Sequence, residues 1–229
     1  MRGSLIHLPD SPSTPAYASV PDGATRGMVV IHELFGRAPE IDAVVDRFAA
    51  RGYAACAPQL FSHGTLSCLR AVFGALSSGK PIPQTEMAHA ARRWLCKEAS
   101  LTDMQVGLIG FCFGGGFALL AGAGFGAVST NYGEIPPSEA MAGIGPVVAC
   151  YGGRDLLSRG NGEKLRAQLA PHGVEPEVHV FPDAGHAFLT EGHRPITYAL
   201  SWPLMHISYD PRRAEAGWEK IDAFFERHL

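Results

Sequence analysis

The sequence predicts an α/β fold: a mostly parallel β-sheet flanked by helices on both faces. Apolar runs of the length of a buried strand recur at 27–32, 53–57, 106–109, 127–130, 146–151 and 177–181. Between most of them lie segments whose apolar residues repeat at helical spacing, and strands alternating with helices imply parallel pairing with both faces covered. Residue types able to do chemistry collect just past the ends of these runs, where such sheets carry their functional loops.

Residues 1–27 are rich in Pro, Ser and Asp, with 17–20 the one strand-like piece before Pro21-Asp22-Gly23, and read as an edge hairpin. The strand at 27–32 ends at Glu33-Leu34-Phe35-Gly36. A helix follows over about 39–51, with Ile41, Val44, Val45 and Phe48 on one face and Gly52 at its end. Pro58 closes the strand at 53–57. Residues 59–84 keep no clean period and contain Gly64, Gly74, Gly79, Pro81 and Pro83, so they are expected to form an irregular lid or pocket wall. A helix over 85–99 turns Met87, Ala91, Trp94 and Leu95 inward. After the strand at 106–109, 116–121 reads as a helix. Gly152-Gly153-Arg154-Asp155 follows the strand at 146–151, and a helix over 161–169 leads to the strand at 177–181 and to Pro182-Asp183-Ala184-Gly185-His186. An amphipathic helix over 212–228 closes the chain, with Ala214, Trp218, Ile221, Phe224 and Phe225 inward.

Length suits one domain spanning 1–229. A net charge of −3 gives no reason to expect nucleic acid or an anionic membrane as partner. The first residues lack the apolar core of a signal peptide, and five cysteines without a CxxC pair argue against a disulfide framework, so a reducing cytoplasm is expected. Monomer and homodimer stay equally open.

The most telling stretch is Gly110-Phe111-Cys112-Phe113-Gly114-Gly115. A strand entering a helix through Gly-x-nucleophile-x-Gly is a nucleophile elbow, here with Cys in place of Ser. Small flanking residues permit the sharp turn, and the helix N-terminus behind Cys112 favours a thiolate. No charged residue occurs between Gln105 and Gly133, but the glycines there oppose a membrane helix. Gly122-Ala123-Gly124 with Ala127 matches a degenerate dinucleotide fingerprint, though at the end of a helix rather than after a strand. An inert core cysteine is the third competing account of Cys112.

Glu33, Cys112, Asp155 and His186 all lie past strand ends, in the nucleophile–acid–histidine order that α/β-hydrolases use. His186 would be the base that takes the thiol proton and later the acid that protonates the leaving oxygen. Asp155 would hold its other nitrogen, with Asp183 the rival carboxylate. His32-Glu33 is not a zinc motif, because position 36 is Gly, and no metal or other cofactor is expected.

Taken together, residues 28–229 resemble the dienelactone hydrolase family. The matching marks are His32-Glu33-Leu34-Phe35-Gly36, the Cys elbow, the Arg-Gly-Tyr-Ala-Ala-Cys-Ala-Pro run ending at Pro58, Gly-Gly-Arg-Asp ending at Asp155, Ala-Gly-His-Ala-Phe around His186 and the terminal helix from Trp218 to Phe225. The resemblance implies an α/β-hydrolase fold and a cofactor-free, carboxymethylenebutenolidase-like hydrolase of small-molecule esters or lactones. It further implies a Cys112–His186–Asp155 triad, Glu33 beside the resting thiol to assist its deprotonation, and an oxyanion hole from the backbone N–H groups of Leu34 and Phe113. A carboxylate so placed opposes premature thiolate formation. Hydrolases acting on dienelactone itself carry His-Ser-Phe-x-Arg, whose Arg helps bind the substrate carboxylate; here Ala187 and Thr190 stand in those places. Arg70 is a candidate replacement charge, and Phe35 and Tyr132 are candidate pocket residues from their loop positions. The competing account keeps the scaffold without catalysis and uses Cys112 as a peroxide-sensitive thiol.

Overall fold

The computed structural model describes residues 2–9, 14–192, 204–207 and 209–229. Among them the strands are β1 (Ser4–Leu8), β2 (Thr14–Ser19), β3 (Arg26–Ile31), β4 (Tyr53–Pro58), β5 (Val106–Phe111), β6 (Ala127–Asn131), β7 (Val147–Gly152) and β8 (Glu177–Phe181). The α-helices are α1 (Pro39–Ala49), α2 (Thr65–Ser78), α3 (Thr85–Ala99), α4 (Phe113–Ala121), α5 (Asn161–Leu169) and α6 (Pro211–His228). One sheet takes all eight strands in the order β1-β2-β4-β3-β5-β6-β7-β8. β2 pairs antiparallel with β1 and β4, and every other pairing is parallel.

The apolar runs become strands because both of their faces have a core to enter. In β3, Val29 and Ile31 join Leu95 of α3 and Phe117 of α4 on one face. Met28 and Val30 join Phe48 of α1 and Ile221 and Phe225 of α6 on the other. All four β3 side chains are fully buried, each contributing about 2 kcal/mol of transfer free energy.

Chain order then places the crevice. From β3 the chain steps outward to β4, recrosses to β5 and continues in the opposite direction. The loops leaving the C-terminal ends of β3 and β5 therefore diverge, which opens the sheet at its topological switch point. Glu33 follows β3 and Cys112 follows β5.

Three elements differ from the sequence expectation. The edge hairpin is present, but β1 is a strand that the sequence reading passed over; it pairs Leu5 with Tyr17. α4 starts at Phe113 rather than Gly116, directly behind Cys112. Residues 59–84 are not irregular: a 3-10 turn (Leu60–His63) and the 14-residue α2 occupy most of them. α2 hides its period because it is apolar on two sides. Cys68, Val72, Ala75 and Leu76 are buried while Leu66 and Phe73 are exposed. Gly79, read as a breaker, is the left-handed C-cap at φ 70°.

α6 is capped by Asp210, whose carboxylate accepts from the N–H groups of Arg212 and Arg213. Its Trp218 indole N–H donates to the Leu189 carbonyl at 3.1 Å and so ties the helix to the segment after β8. No helix among the described residues is long and apolar enough to cross a membrane.

Candidate active site

The elbow is built from backbone contacts. Cys112 holds φ 54° and ψ −118°, a conformation that costs a non-glycine residue on the order of 1–3 kcal/mol. Its N–H donates to the Asn131 carbonyl at 2.9 Å, and its own carbonyl accepts from Gly115 N–H at 2.9 Å. The buried Asn131 amide donates to the Gly110 carbonyl at 3.1 Å, bracing the turn from β6. A Cβ on Gly114 would lie 2.5 Å from the His32 carbonyl oxygen, so only glycine lets α4 rest on the end of β3.

β7 delivers Asp155, 1% exposed. One carboxylate oxygen accepts from Leu157 N–H at 3.1 Å. The other accepts from the Ser158 hydroxyl and from Nδ1 of His186, the latter at 2.6 Å. Asp155 thus caps its own turn and holds the imidazole at the same time. The rival Asp183 is exposed and plays no part in this pair. Ser158 was missed in the sequence; its signal was a hydroxyl three positions beyond the carboxylate, a common turn spacing.

His186 follows β8, and its N–H donates to the Met205 carbonyl at 2.8 Å. Its Nε2 is buried and makes no hydrogen bond of good geometry among the described residues. Burial disfavours the imidazolium, but a charge on the Cys112 sulfur, with hydrogen bonding and Asp155, outweighs it and holds His186 up at about 10. Cys112 acts on His186 both through its charge and as a hydrogen-bond partner, at a contact that lies outside good hydrogen-bond geometry. Such contacts commonly tighten only in the transition state.

Glu33 is buried beside the same centre. Thr190 Oγ1 donates to its Oε1 at 2.9 Å, and the Tyr132 hydroxyl reaches the same oxygen at 3.5 Å. Tyr132 sits at φ 43° with its ring centroid 4.9 Å from that of His186. Burial first, then the Glu33 charge, push its phenol well above the usual range, so it stays a neutral donor. Thr190 was noticed in the sequence only for not being an arginine; the structure gives it the Glu33 carboxylate.

Phe113, the residue after the elbow cysteine, packs among other aromatic rings. Phe113 lies 5.7 Å from Phe61 and 5.8 Å from Phe73, ring centroid to centroid. Phe35 is exposed at the loop after β3, and Arg70 is exposed on α2. Trp202, a further aromatic candidate for the pocket, lies outside the described residues.

With the geometry in place, comparison with known proteins is informative. The sequence pattern of the dienelactone hydrolase family matches residues 14–229. The chain belongs to that family. It is 29% identical over 238 residues to a putative carboxymethylenebutenolidase of Yersinia pestis, covering 93% of this chain and 84% of that one. It is 26% identical over 269 residues to the carboxymethylenebutenolidase of Rhodococcus opacus, covering 96% and 95%. Two solved structures share the fold at 22% identity. They are a putative dienelactone hydrolase from Klebsiella pneumoniae subsp. pneumoniae MGH 78578, with a TM-score of 0.75 and 98% of each chain covered, and a dienelactone hydrolase-like promiscuous phosphotriesterase from metagenomic libraries, with a TM-score of 0.79 and 99% and 98% covered. As a dienelactone hydrolase family member with the α/β-hydrolase fold, the protein is a hydrolase acting on ester or lactone bonds.

Proposed function

We propose that the protein hydrolyses neutral, apolar carboxylic esters or lactones through an acyl-Cys112 intermediate. The observation that carries this reading is the buried His186–Asp155 pair, 2.6 Å apart, with the second imidazole nitrogen left beside the elbow cysteine. His186 Nε2 takes the thiol proton as the sulfur attacks the carbonyl carbon. The N–H groups of Leu34 and Phe113 receive the charge that builds on the carbonyl oxygen. When the tetrahedral adduct collapses, the imidazolium returns its proton to the leaving oxygen, which departs as an alcohol or, from a lactone, stays tethered to the acyl group. Water deprotonated by His186 then attacks the thioester and regenerates the thiol.

Glu33, anchored by Thr190 and Tyr132, opposes a thiolate in the resting enzyme and assists proton removal once substrate displaces it. Two observations favour an uncharged substrate. Thr190 occupies the place of the carboxylate-binding Arg and is engaged with Glu33. Phe61 and Phe73 pack on Phe113, the residue after the elbow cysteine, and such an apolar cluster suits an acyl or alkoxy chain.

The test is turnover of p-nitrophenyl butyrate and of a series of unsubstituted lactones by the wild type and Cys112→Ala. Loss of activity by at least about a thousandfold with unchanged circular dichroism is expected. Undiminished turnover in Cys112→Ala would remove the nucleophile and leave a scaffold with a merely reactive thiol.

A further inference from the structure

We infer that His32 is a positioning residue for the oxyanion hole: it aims the Leu34 N–H by clamping the carbonyl at the other end of the same peptide unit. This rests on the oxyanion assignment above and goes one layer behind it.

His32 ends β3 with its ring wholly buried. Burial of a polar ring without partners would be costly, and both nitrogens are used. The Leu60 N–H donates to Nε2 at 3.1 Å, so Nε2 is the bare acceptor and the ring proton sits on Nδ1. Nδ1–H in turn meets the Glu33 carbonyl oxygen at 2.7 Å. The Gly36 N–H reaches that same oxygen at 3.2 Å. Desolvation, outweighing the Glu33 carbonyl bond, holds the imidazole down at about 4, so the neutral tautomer persists at ordinary pH.

The Glu33 carbonyl and the Leu34 N–H belong to one peptide group. That group is planar and trans, like the others described, so its C=O and N–H point in opposite directions. Fixing the oxygen with two donors fixes the direction of the N–H. Donors on the oxygen also polarise the amide and strengthen its N–H as a donor. Neither the Leu34 N–H nor the Phe113 N–H has an acceptor among the described residues; the latter is one of the open donors in the first turn of α4. His32 also stacks edge-on against Phe61 at 4.7 Å, and Gly114 of α4 rests on its carbonyl. The His32 side chain therefore registers the β3 loop to the β4 loop, and the His32 backbone carbonyl carries α4.

Two near-isosteric replacements separate the ring's two bonds. His32→Asn keeps a donor near the Nδ1 position, for the Glu33 carbonyl. His32→Gln keeps an acceptor near the Nε2 position, for the Leu60 N–H, and loses the clamp. Each gives up one hydrogen bond, so a general loss of stability falls on both. With p-nitrophenyl butyrate, His32→Gln is expected to lose ten- to a hundredfold in kcat with KM within about threefold. His32→Asn is expected to stay within about threefold of wild type in kcat. Butyraldehyde, which adds the Cys112 thiol to its C=O and places the resulting oxygen in the hole, should bind His32→Gln at least tenfold more weakly and His32→Asn about as well as wild type. Equal losses in both variants, or none in either, alongside an inactive Cys112→Ala would overturn the role of His32 while leaving the nucleophile in place. An active Cys112→Ala would instead overturn the reading beneath it.

Discussion

At the floor of the crevice backbone touches backbone, whereas along its wall side chain touches side chain. On the floor, a Cβ at Gly110 would lie 1.9 Å from the Gly114 carbonyl oxygen, and the His32 ring bridges two loop backbones. Along the wall, α2 buries Cys68, Val72, Ala75 and Leu76 against the core but leaves Leu66 83% and Phe73 48% exposed. Floor contacts admit almost no change of shape, because backbone atoms have nowhere to retreat. Wall contacts are apolar and replaceable, and losing one changes area rather than geometry. The proposed reacting groups thus sit on the part of the fold that tolerates least, and the proposed substrate contacts on the part that tolerates most. Chemistry and selectivity should separate by mutation.

The sharpest way to break this contrast is on the floor. Gly110→Ala forces β5 and α4 apart and is expected to cost about 4 kcal/mol or more, enough to abolish soluble folded protein. A thermal melt within a few degrees of wild type would show that the elbow can relax, and the floor would lose its distinction from the wall.

A second test uses pH on the same floor. His32 titrates at about 4 in the fold and near 6.5 when unfolded. Above pH 6.5 neither state carries the proton. As pH falls from 6.5 towards 4, unfolded chains gain a proton that the fold refuses, and stability is lost by up to about 3 kcal/mol. Urea midpoints measured from pH 7 to 4 should therefore fall more steeply for wild type than for His32→Asn. Parallel curves would mean that the His32 ring is not held neutral.

The sequence disclosed the floor far better than the wall. Strand-length apolar runs mark β3 to β8, and the Gly-flanked Cys112, Gly-Gly-Arg-Asp155 and Ala-Gly-His186 all announce themselves as turns. Periodic signals fail where an element faces two environments, which is why α2 passed for irregular chain. Pairings far apart in sequence fail for another reason. The hydroxyl of Thr190 finds Glu33 across 157 positions, and no local spacing encodes that. His32 carried a misleading signal: beside Glu33 it looks like half of a metal motif, whereas its partners are the Glu33 carbonyl and Leu60 N–H, groups that every sequence contains and none advertises.

The wall gives the smallest effect and the cleanest separation. Phe73 packs on Phe113, 5.8 Å away between ring centroids, and about half of it faces solvent. An acyl chain laid along it would cover the remaining apolar area, worth on the order of 1 kcal/mol. Phe73→Ala should then raise KM for p-nitrophenyl hexanoate by about threefold to tenfold, leave kcat within about twofold, and barely change either constant for the acetate ester. The dependence on chain length is the discriminating feature, since a displaced elbow would lower kcat for both esters alike. If acetate and hexanoate respond equally, α2 is part of the catalytic frame, and the division between floor and wall fails at the helix that defines it.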